Sequence, residues 1–523
     1  MSVRISTSQF YNTNSANYQR NFANTVKTQQ EATDGIRVRT AKDDPVGAAR
    51  LLQLEQQQNM IDQYNSNTTS VRNALGTAES TLNAVGNILQ RVNELAVSSG
   101  NASFTDEDRK ANAAELDSLE QQLFTLMNSK DENGKYIFSG SKGDTQPYVR
   151  NSDGTYTYQG DQSQLKLQVG DMLSLAANET GYDAFEQALN TSRSETRLTS
   201  PAVDDGRVTL SNGQVSGSST YNDRFRSGEP YSIEFTSSTE FKITDANGTD
   251  VTLEATQGGK FDPNGENTSI SFRGVDLRLD ISFKAGDEAD PDAAIAGHTF
   301  SLSSKADEIS GTRSPGNPSS TQVTGTTITD QAAYKAAFPE GAVLKFTSAT
   351  DFELYASPVS ANSRPISTGT LSGTAATAMG VEFELSGAPS AGDSFAIKVD
   401  THQTQNVLDT IGQLRAALST PIDGDPAAAQ AFKSALDSAI GNIGSATNQV
   451  TSSIASIGGR GQALDVQAET NAALSAENTK TQSSIRESDP AEVMIRLQMQ
   501  TNMLQASLQA YAKVAGLSLV NYI

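Results

Sequence analysis

Two long stretches of this chain, one near each end, repeat apolar residues at alternating steps of three and four. The first stretch carries Ile61, Tyr64, Thr68, Val71, Leu75, Ala78, Leu82, Val85, Leu89, Val92 and Ala96. The second carries Leu436, Ile440, Ile443, Thr447, Val450, Ile454, Ile457, Gly461, Leu464 and Ala468. A period of about 3.5 residues is typical of helices that pack along a narrow seam. The pattern therefore predicts a rod of long helices contributed by both ends of the chain.

Short signals mark where these helices begin. Asp43-Asp44-Pro45 precedes the first stretch, and Asp44 before Pro45 predicts an N-cap followed by proline in the first helical turn. We interpret this acidic pair as a helix start rather than as a metal or acid–base site. The helix is predicted to run from about 46 to 99, and another begins near Thr105 with an acidic first turn that suits the helix dipole.

The two terminal segments are predicted to order only on assembly. Residues 1–45 are polar, with a thin apolar stripe of Phe10, Tyr18, Phe22 and Val26 that buries too little to offset the ordering entropy. A permanently flexible tail is the alternative. At the other end the apolar positions are Met494, Leu497, Leu504, Leu508, Tyr511, Leu517, Leu519, Tyr522 and Ile523. Chain ends usually fray, so this stripe predicts docking on a partner, with docking on the chain's own helices as the alternative.

The sequence between the two helical regions changes to short alternating runs, which predict β-strands. Residues 134–170 are interpreted as small hairpins and residues 191–400 as a β-rich insert. Within the insert, Gly274-Val275-Asp276-Leu277 resembles Gly380-Val381-Glu382-Phe383, and further segments repeat in the same order. The insert is therefore predicted to hold two related modules, at about 200–312 and 320–400.

Together these patterns predict an α+β protein of several domains, with a long antiparallel, coiled-coil-like helical rod formed by both termini and a β-rich insert. The terminal helices would comprise 1–45 paired with 485–523. The rod would comprise 46–190 paired with 400–484, and the insert 191–400.

Composition argues against several classes of function. The net charge of −22 opposes binding to nucleic acid or to anionic lipid, and no run approaches twenty apolar residues. The absence of cysteine excludes a thiol nucleophile, a disulfide and a zinc–thiolate site. His298 is interpreted as a surface residue in a strand. We predict no catalytic residue, no cofactor and no metal site. The first residues lack an apolar signal core, so a cytoplasmic protein or export without a cleaved signal is expected.

Several motifs in the helical regions resemble those of bacterial flagellins and flagellar hook-associated proteins. The first set comprises Gly35 to Val38, Ala41 to Ala49 and Arg91 to Val97. The segments Asn133 to Gly140, Asp144 to Pro147 and Leu517 to Ile523 look most like those of the hook–filament junction members. The resemblance covers about residues 1–180 and 400–523. It does not extend to the insert, which is longer than expected for the family.

The resemblance implies a structural adaptor of the flagellum, with no enzymatic activity, at the hook–filament junction. Its partners would be further copies in a ring, the other hook-associated junction protein, and flagellin. It also implies export through the flagellar type III apparatus to an extracellular position, with a chaperone on the C-terminal helix at Leu497, Leu504, Leu508 and Tyr511. Two alternatives stay open: flagellin itself, and an insert that binds or cleaves surface glycans. For the isolated residues 195–400 we expect neither glycan binding nor hydrolysis.

Overall fold

The computed structural model describes residues 7–101, 103–151, 154–263, 268–314, 316–360, 362–424 and 426–520. The α-helices are α1 (Thr7–Asp34), α2 (Pro45–Ser99), α3 (Asp106–Met127), α4 (Ser218–Thr220), α5 (Pro291–Ile295), α6 (Gln331–Ala337), α7 (Val407–Ser419), α8 (Pro426–Arg486) and α9 (Pro490–Val520). π-Helical turns lie at Tyr182–Glu186 and Tyr221–Phe225, and 3-10 turns at Thr252–Glu254, Thr256–Gly259 and Asp287–Ala289.

The strands that the structure describes all pair antiparallel. They are β1 (Tyr148–Arg150), β2 (Tyr156–Tyr158), β3 (Lys166–Gln168), β4 (Ser174–Ala176), β5 (Ser194–Ser200), β6 (Val208–Leu210), β7 (Gln214–Val215), β8 (Tyr231–Phe235), β9 (Phe241–Thr244), β10 (Thr268–Phe272), β11 (Val275–Ile281), β12 (Thr299–Ser304), β13 (Glu308–Arg313), β14 (Val323–Ile328), β15 (Ala342–Phe346), β16 (Asp351–Ala356), β17 (Ser367–Thr370), β18 (Ala375–Ala378), β19 (Val381–Leu385) and β20 (Ser394–Asp400). The predicted combination of long terminal helices with a β-rich region is therefore present.

The chain divides into two compact units. Unit 1 takes its described residues from 1–77, 164–178 and 456–523, and unit 2 from 78–163 and 179–455. In unit 1, α1 packs against α9, and the first part of α2 is linked to the last part of α8. There the Asn478 side-chain amide donates to the Leu54 carbonyl (2.9 Å), and the Gln58 amide donates to Ser475 Oγ (2.8 Å). The order of these partners shows that the two helices run in opposite directions.

The helical part of unit 2 is organised around α3 and α7. Thr105 begins α3 with a reciprocal cap, in which its side chain accepts from the Asp108 backbone N–H and the Asp108 carboxylate accepts from the Thr105 N–H. This capping box satisfies two amide groups that the first turn would otherwise leave free. On the buried face of α3, Glu120 accepts hydrogen bonds from the Tyr156 hydroxyl (2.7 Å) and from Arg415 Nε (3.0 Å). These bonds join α3, the β1–β2 hairpin and α7.

The strands from β5 to β20 in unit 2 form two sandwiches with the same plan. In the first module, sheet β5-β12-β8-β9 and sheet β10-β11-β6, with β7 beside β11, enclose one apolar core. In the second, sheet β13-β20-β15-β16-β17 and sheet β14-β19-β18 enclose another. The strands correspond in order, so β12 and β20 are central in equivalent sheets. The repeated sequence segments therefore occupy equivalent strands.

The hairpins β10–β11 and β18–β19 show how sequence fixes one repeated feature. The β10–β11 turn places Arg273 and Gly274 at positive φ, and the β18–β19 turn does the same with Met379 and Gly380. The φ angle is 85° at Gly274 and 78° at Gly380. Two consecutive residues at positive φ make a type I′ turn, which matches the twist of paired strands and favours glycine. A Cβ on Gly380 would also lie 2.3 Å from the Asp330 carbonyl oxygen.

Two expectations differ from the structure. Small hairpins were expected over residues 134–170, but among the described residues near position 134 there is only an isolated bridge between Lys130 and Tyr136. The β3–β4 hairpin also extends beyond the expected limit, to Ala176. His298 is buried rather than exposed, because its ring bonds to the Ile295 carbonyl (2.8 Å) and to Asp205 (3.0 Å). None of the helices in the described ranges combines the length and apolar character needed to span a bilayer.

Candidate assembly surface

The terminal helices α1 and α9 form a pair in unit 1 that carries the best candidate for a contact surface. Tyr18 stacks on Tyr511 with ring centroids 6.2 Å apart. Asn21 Nδ2 donates to Ser507 Oγ (2.7 Å), and Arg496 forms an ion pair with Glu31 (2.6 Å). Residue numbers rise on one helix as they fall on the other, so the pair is antiparallel.

The seam between these two helices is unequal in polarity. On α9 the inward positions include Val493, Leu497, Leu504 and Tyr511, which are buried or half-buried. On α1 the inward positions are Tyr18, Asn21, Thr25, Thr28 and Glu31. Polar side chains in a seam contribute little hydrophobic stabilisation, and an isolated helix pair depends mainly on that term. The α1–α9 pair is therefore weakly held by its own contacts.

A second apolar stripe of α9 points away from α1. Ile495, Met499 and Met503 follow one another at four-residue steps, and their side chains are 67%, 58% and 53% exposed. On α1, Phe22 and Val26 are also exposed, at 51% and 37%. Scattered exposed apolar residues are ordinary, but an aligned run on one helix face indicates a contact surface. We call Ile495, Met499 and Met503 the outer stripe.

The predicted terminal residues fall into three groups. Leu497, Leu504, Tyr511 and Tyr18 lie in the seam, whereas Met494, Leu508, Phe22 and Val26 are exposed. Phe10, Leu517 and Leu519 belong to the helices, but their side chains are outside the described part, as are Tyr522 and Ile523 entirely. The outer stripe was not among the predicted residues, although its regular four-residue spacing was a signal for it.

The predicted rod residues face inward on α2 and α8. The buried ones are Ile61, Val71, Leu75, Leu82, Val85, Leu89, Val92, Leu436, Ile443, Val450, Ile457 and Leu464. The half-buried ones are Tyr64, Ile440 and Ile454. The spacing of three and four therefore selects one continuous face of each helix.

The segment that links α1 to α2 is fixed by the Asp43-Asp44-Pro45 motif. Pro45 is the first residue of α2, and Asp44 Oδ1 accepts the Gly47 N–H (2.9 Å) as an N-cap. Asp43 accepts from Lys27 Nζ (2.6 Å) and from the Thr40 N–H, and these bonds hold the pKa of Asp43 well below its usual range. Both carboxylates are occupied by structural bonds. Across the described residues, no cluster of three or more metal-binding side chains occurs.

Comparison with known proteins finds similarity to flagellar components. Residues 5–143 match the family described as the bacterial flagellin N-terminal helical region. Flagellar hook-associated protein 3 of Salmonella typhimurium is 31% identical over 183 residues, 35% of this chain and 57% of that protein. The alignment therefore spans little more than half the length of this curated relative. The flagellar filament 41 kDa core protein of Borreliella burgdorferi is 32% identical over 133 residues, 25% of this chain and 40% of that protein.

A solved structure extends the likeness to the fold. The crystal structure of flagellar hook-associated protein 3 from Legionella pneumophila aligns with a TM-score of 0.50 at 20% identity, over 83% of this chain and 98% of that chain. At this identity the match shows a shared fold. The chain thus carries a flagellin-type N-terminal helical region and is similar to flagellar hook-associated protein 3.

Proposed function

We propose that this chain is a structural adaptor of the bacterial flagellum, which forms a ring at the hook–filament junction and seeds the flagellin filament without catalysing a reaction. The observation that carries the proposal is the α1–α9 pair, with its polar seam and exposed outer stripe, on a chain similar to hook-associated protein 3. A weak pair that exposes apolar residues gains stability when neighbouring subunits cover it.

The size of that gain follows from the exposure of the outer stripe. Complete burial of one such side chain is worth roughly 1.5–3 kcal/mol, and each of the three is about half exposed. Covering all three would therefore contribute about 3–5 kcal/mol per subunit before the cost of association. A ring repeats this contribution at every interface, so many weak contacts add up to a firm assembly.

The proposal has several parts beyond the ring itself. The partners are other copies of the chain, the other hook-associated junction protein and flagellin. The chain leaves the cell through the flagellar type III apparatus without a cleaved signal, and an export chaperone holds α9 beforehand. The helical rod combines 46–190 with 400–484 along a coiled-coil-like seam, the terminal helices combine 1–45 with 485–523, and the insert at 191–400 faces solvent.

Deletion of the gene tests the adaptor role directly. We expect electron micrographs to show hooks without filaments, together with flagellin released into the medium, because exported subunits then have nothing to assemble on. Hooks without filaments and without any other flagellin in the medium would instead show that this chain is the filament subunit. Normal filaments would refute both functions.

A charge inserted into the outer stripe tests the surface. The deletion strain is complemented with Met499→Lys/Met503→Lys, or with the control Gln498→Lys/Gln505→Lys, which adds the same charge at exposed positions elsewhere on α9. We expect filaments with the control and bare hooks with the stripe variant, while both proteins reach the medium. Normal filaments with the stripe variant would remove this surface from the proposal, and its retention inside the cell would assign the stripe to export.

A further inference from the structure

An open cleft in unit 2 lies between the first β module and the helices α7 and α8. Its volume is about 500 Å³, within the range of roughly 300–1,000 Å³ that small-molecule sites occupy. Between Gln430 and Asn442, the α8 wall presents short side chains at helical spacing, Ala431, Ser434, Ala435, Ser438 and Ala439. Larger side chains at these positions would fill the space. The cleft therefore exists because this face of α8 carries small side chains.

The opposite wall combines an apolar floor with amide groups. Leu198 and Phe300 contribute the apolar surface and Asn212 a side-chain amide, while Gln413 of α7 contributes a second amide from the helix side. Both amide oxygens are already used, since Asn212 accepts the Thr196 N–H (3.1 Å) and Gln413 accepts from Gln405 (2.9 Å). Their NH₂ groups have no partner within the described part of the chain. The cleft therefore offers hydrogen-bond donors.

The strongest feature of the cleft is a lysine at one end. Lys305 follows β12, and its ammonium group donates to Ser192 Oγ (3.3 Å); no carboxylate of the described structure forms an ion pair with it, although Glu195, Glu308 and Asp400 lie near enough to interact with its charge. Burial lowers the pKa of Lys305. Lys305 is half-buried, and partly burying a cation that is in no ion pair is costly, so such a residue is a candidate for a functional site.

A second buried cation lies beside Lys305. Arg193 is 4% exposed, and its guanidinium group lies over the Tyr221 ring (4.8 Å) and donates to Ser218 Oγ (2.8 Å). Arg193 Nε is buried without a hydrogen-bond partner, and no ion pair of Arg193 is found in the described residues. Arg193 and Lys305 both line a smaller cavity of about 10 Å³. A buried arginine and a half-buried lysine, neither of them in an ion pair within the described residues, are unexpected in a chain of net charge −22.

Several acidic groups near these cations are engaged elsewhere, and Glu195, Glu308 and Asp400 interact with Lys305 without forming an ion pair with it. Glu229 accepts the Ser304 N–H (2.5 Å), and Asp307 forms an ion pair with Lys335 (2.8 Å). The carboxylate that lines the cleft, Asp204, is exposed and accepts the Gly206 N–H (2.8 Å). Because Lys305 is held in no ion pair, its ammonium group is available to a ligand in the cleft.

We propose that this cleft binds an acidic saccharide of one or two sugar residues. The sugar carboxylate pairs with Lys305, the hydroxyls accept from the free amide groups, and the apolar face of the ring lies against the Leu198 and Phe300 wall. Both walls are required, one from residues 192–305 and the other from 410–442, so the insert alone lacks the site. The proposal is independent of the assembly role.

The test uses the purified full chain and calorimetry with glucuronate and digalacturonate. Glucose and acetate are the comparison ligands, because each carries only part of the recognised chemistry. Lys305→Met removes the charge but keeps the stem, and Ala435→Leu fills the cleft from the opposite wall. Lys345→Met, at an exposed position of β15, is the matched control. Thermal unfolding of each variant verifies its fold.

We expect saturable binding of the uronates that weakens at least tenfold with Lys305→Met, is lost with Ala435→Leu, and is unchanged with Lys345→Met. Binding by the unaltered chain should also weaken as salt rises, which needs no variant. No uronate binding, equal affinity for glucose or acetate, or binding indifferent to both cleft variants would overturn the proposal.

Discussion

The polar seam of α1 predicts how strongly the terminal helices pair before assembly. Thr25 is half-buried and Thr28 is 4% exposed, and both lie on the face of α1 that meets α9. The double change Thr25→Leu/Thr28→Val makes the middle of this seam apolar and leaves Tyr18, Asn21 and Glu31 in place. Valine matches threonine in shape, so the tighter position 28 is not overpacked. The change should therefore strengthen the pair without altering its geometry.

The magnitude follows from the burial of each position. A leucine half-buried at position 25 adds about 1 kcal/mol of hydrophobic stabilisation. Replacing the buried hydroxyl at position 28 by a methyl group adds about 1 kcal/mol, because the hydroxyl no longer has to be desolvated. The sum of about 2 kcal/mol raises the pairing equilibrium roughly thirtyfold.

Hydrogen exchange of the secreted monomer measures this equilibrium, since amide protection reports the free energy of local opening. We expect weak protection in α1 and α9 of the natural chain, about thirtyfold more in the double variant, and no change with Thr13→Val/Thr33→Leu at exposed positions of α1. Protection of α1 in the natural monomer equal to that of α3 would refute the reasoning, because the seam would then already be strong. An unchanged double variant would refute it as well.

Two further predictions concern unit 2. Burial raises the pKa of Glu186, whose carboxylate accepts a hydrogen bond from Asn406. Above the ordinary pKa of 4.5 this carboxyl group ionises more readily in the unfolded chain than in the folded one, so the folded chain loses stability. Glu186→Gln should therefore raise stability by about 1 kcal/mol at pH 7, and the gain should vanish as the pH falls through the raised value toward 4.5. Urea unfolding at pH 7 and at pH 4.5 measures the stability, with Glu195→Gln at an exposed position as the control. A loss of stability in Glu186→Gln at pH 7 would contradict the prediction. Gly274→Ala should destabilise the first module by about 2 kcal/mol or more, since a Cβ at positive φ is strained and would lie 2.6 Å from the Gly217 carbonyl oxygen. Thermal unfolding compares it with Gly373→Ala, which is strained but meets no atom within 4 Å; equal losses would show that the contact is unimportant.

Much of the helical architecture could be predicted because its signals are local. The start of α2 depends on Asp44 and Pro45, and the start of α3 on Thr105 and Asp108, all within one helical turn. The long helices themselves follow from apolar spacing. The β repeat could be recognised from segments such as Gly274 to Leu277 because glycine is favoured at the same turn position in both modules. The expected strand near Tyr136 failed because alternation in a few residues does not determine whether a partner strand is present.

The candidate surface could be predicted only in part. The sequence identified α9 as amphipathic, but Val493, Met494 and Ile495 are consecutive apolar residues, and periodicity does not decide which of them meets α1. In the folded chain Val493 is buried, while Met494 and Ile495 are exposed. The choice depends on the partner helix, whose residues lie far away in sequence, and therefore on tertiary packing.

The amino-acid sequence by itself determined the long helices, their capped starts and the duplicated β modules, because these depend on spacing, capping and turn chemistry over short distances. Only the tertiary structure decided which stripe of α9 is left outside, that His298 is buried against Asp205, and that Lys305 lies unpaired in a cleft walled by α8. Burial and charge pairing depend on segments brought together from distant parts of the chain, and a local sequence pattern does not specify such long-range contacts.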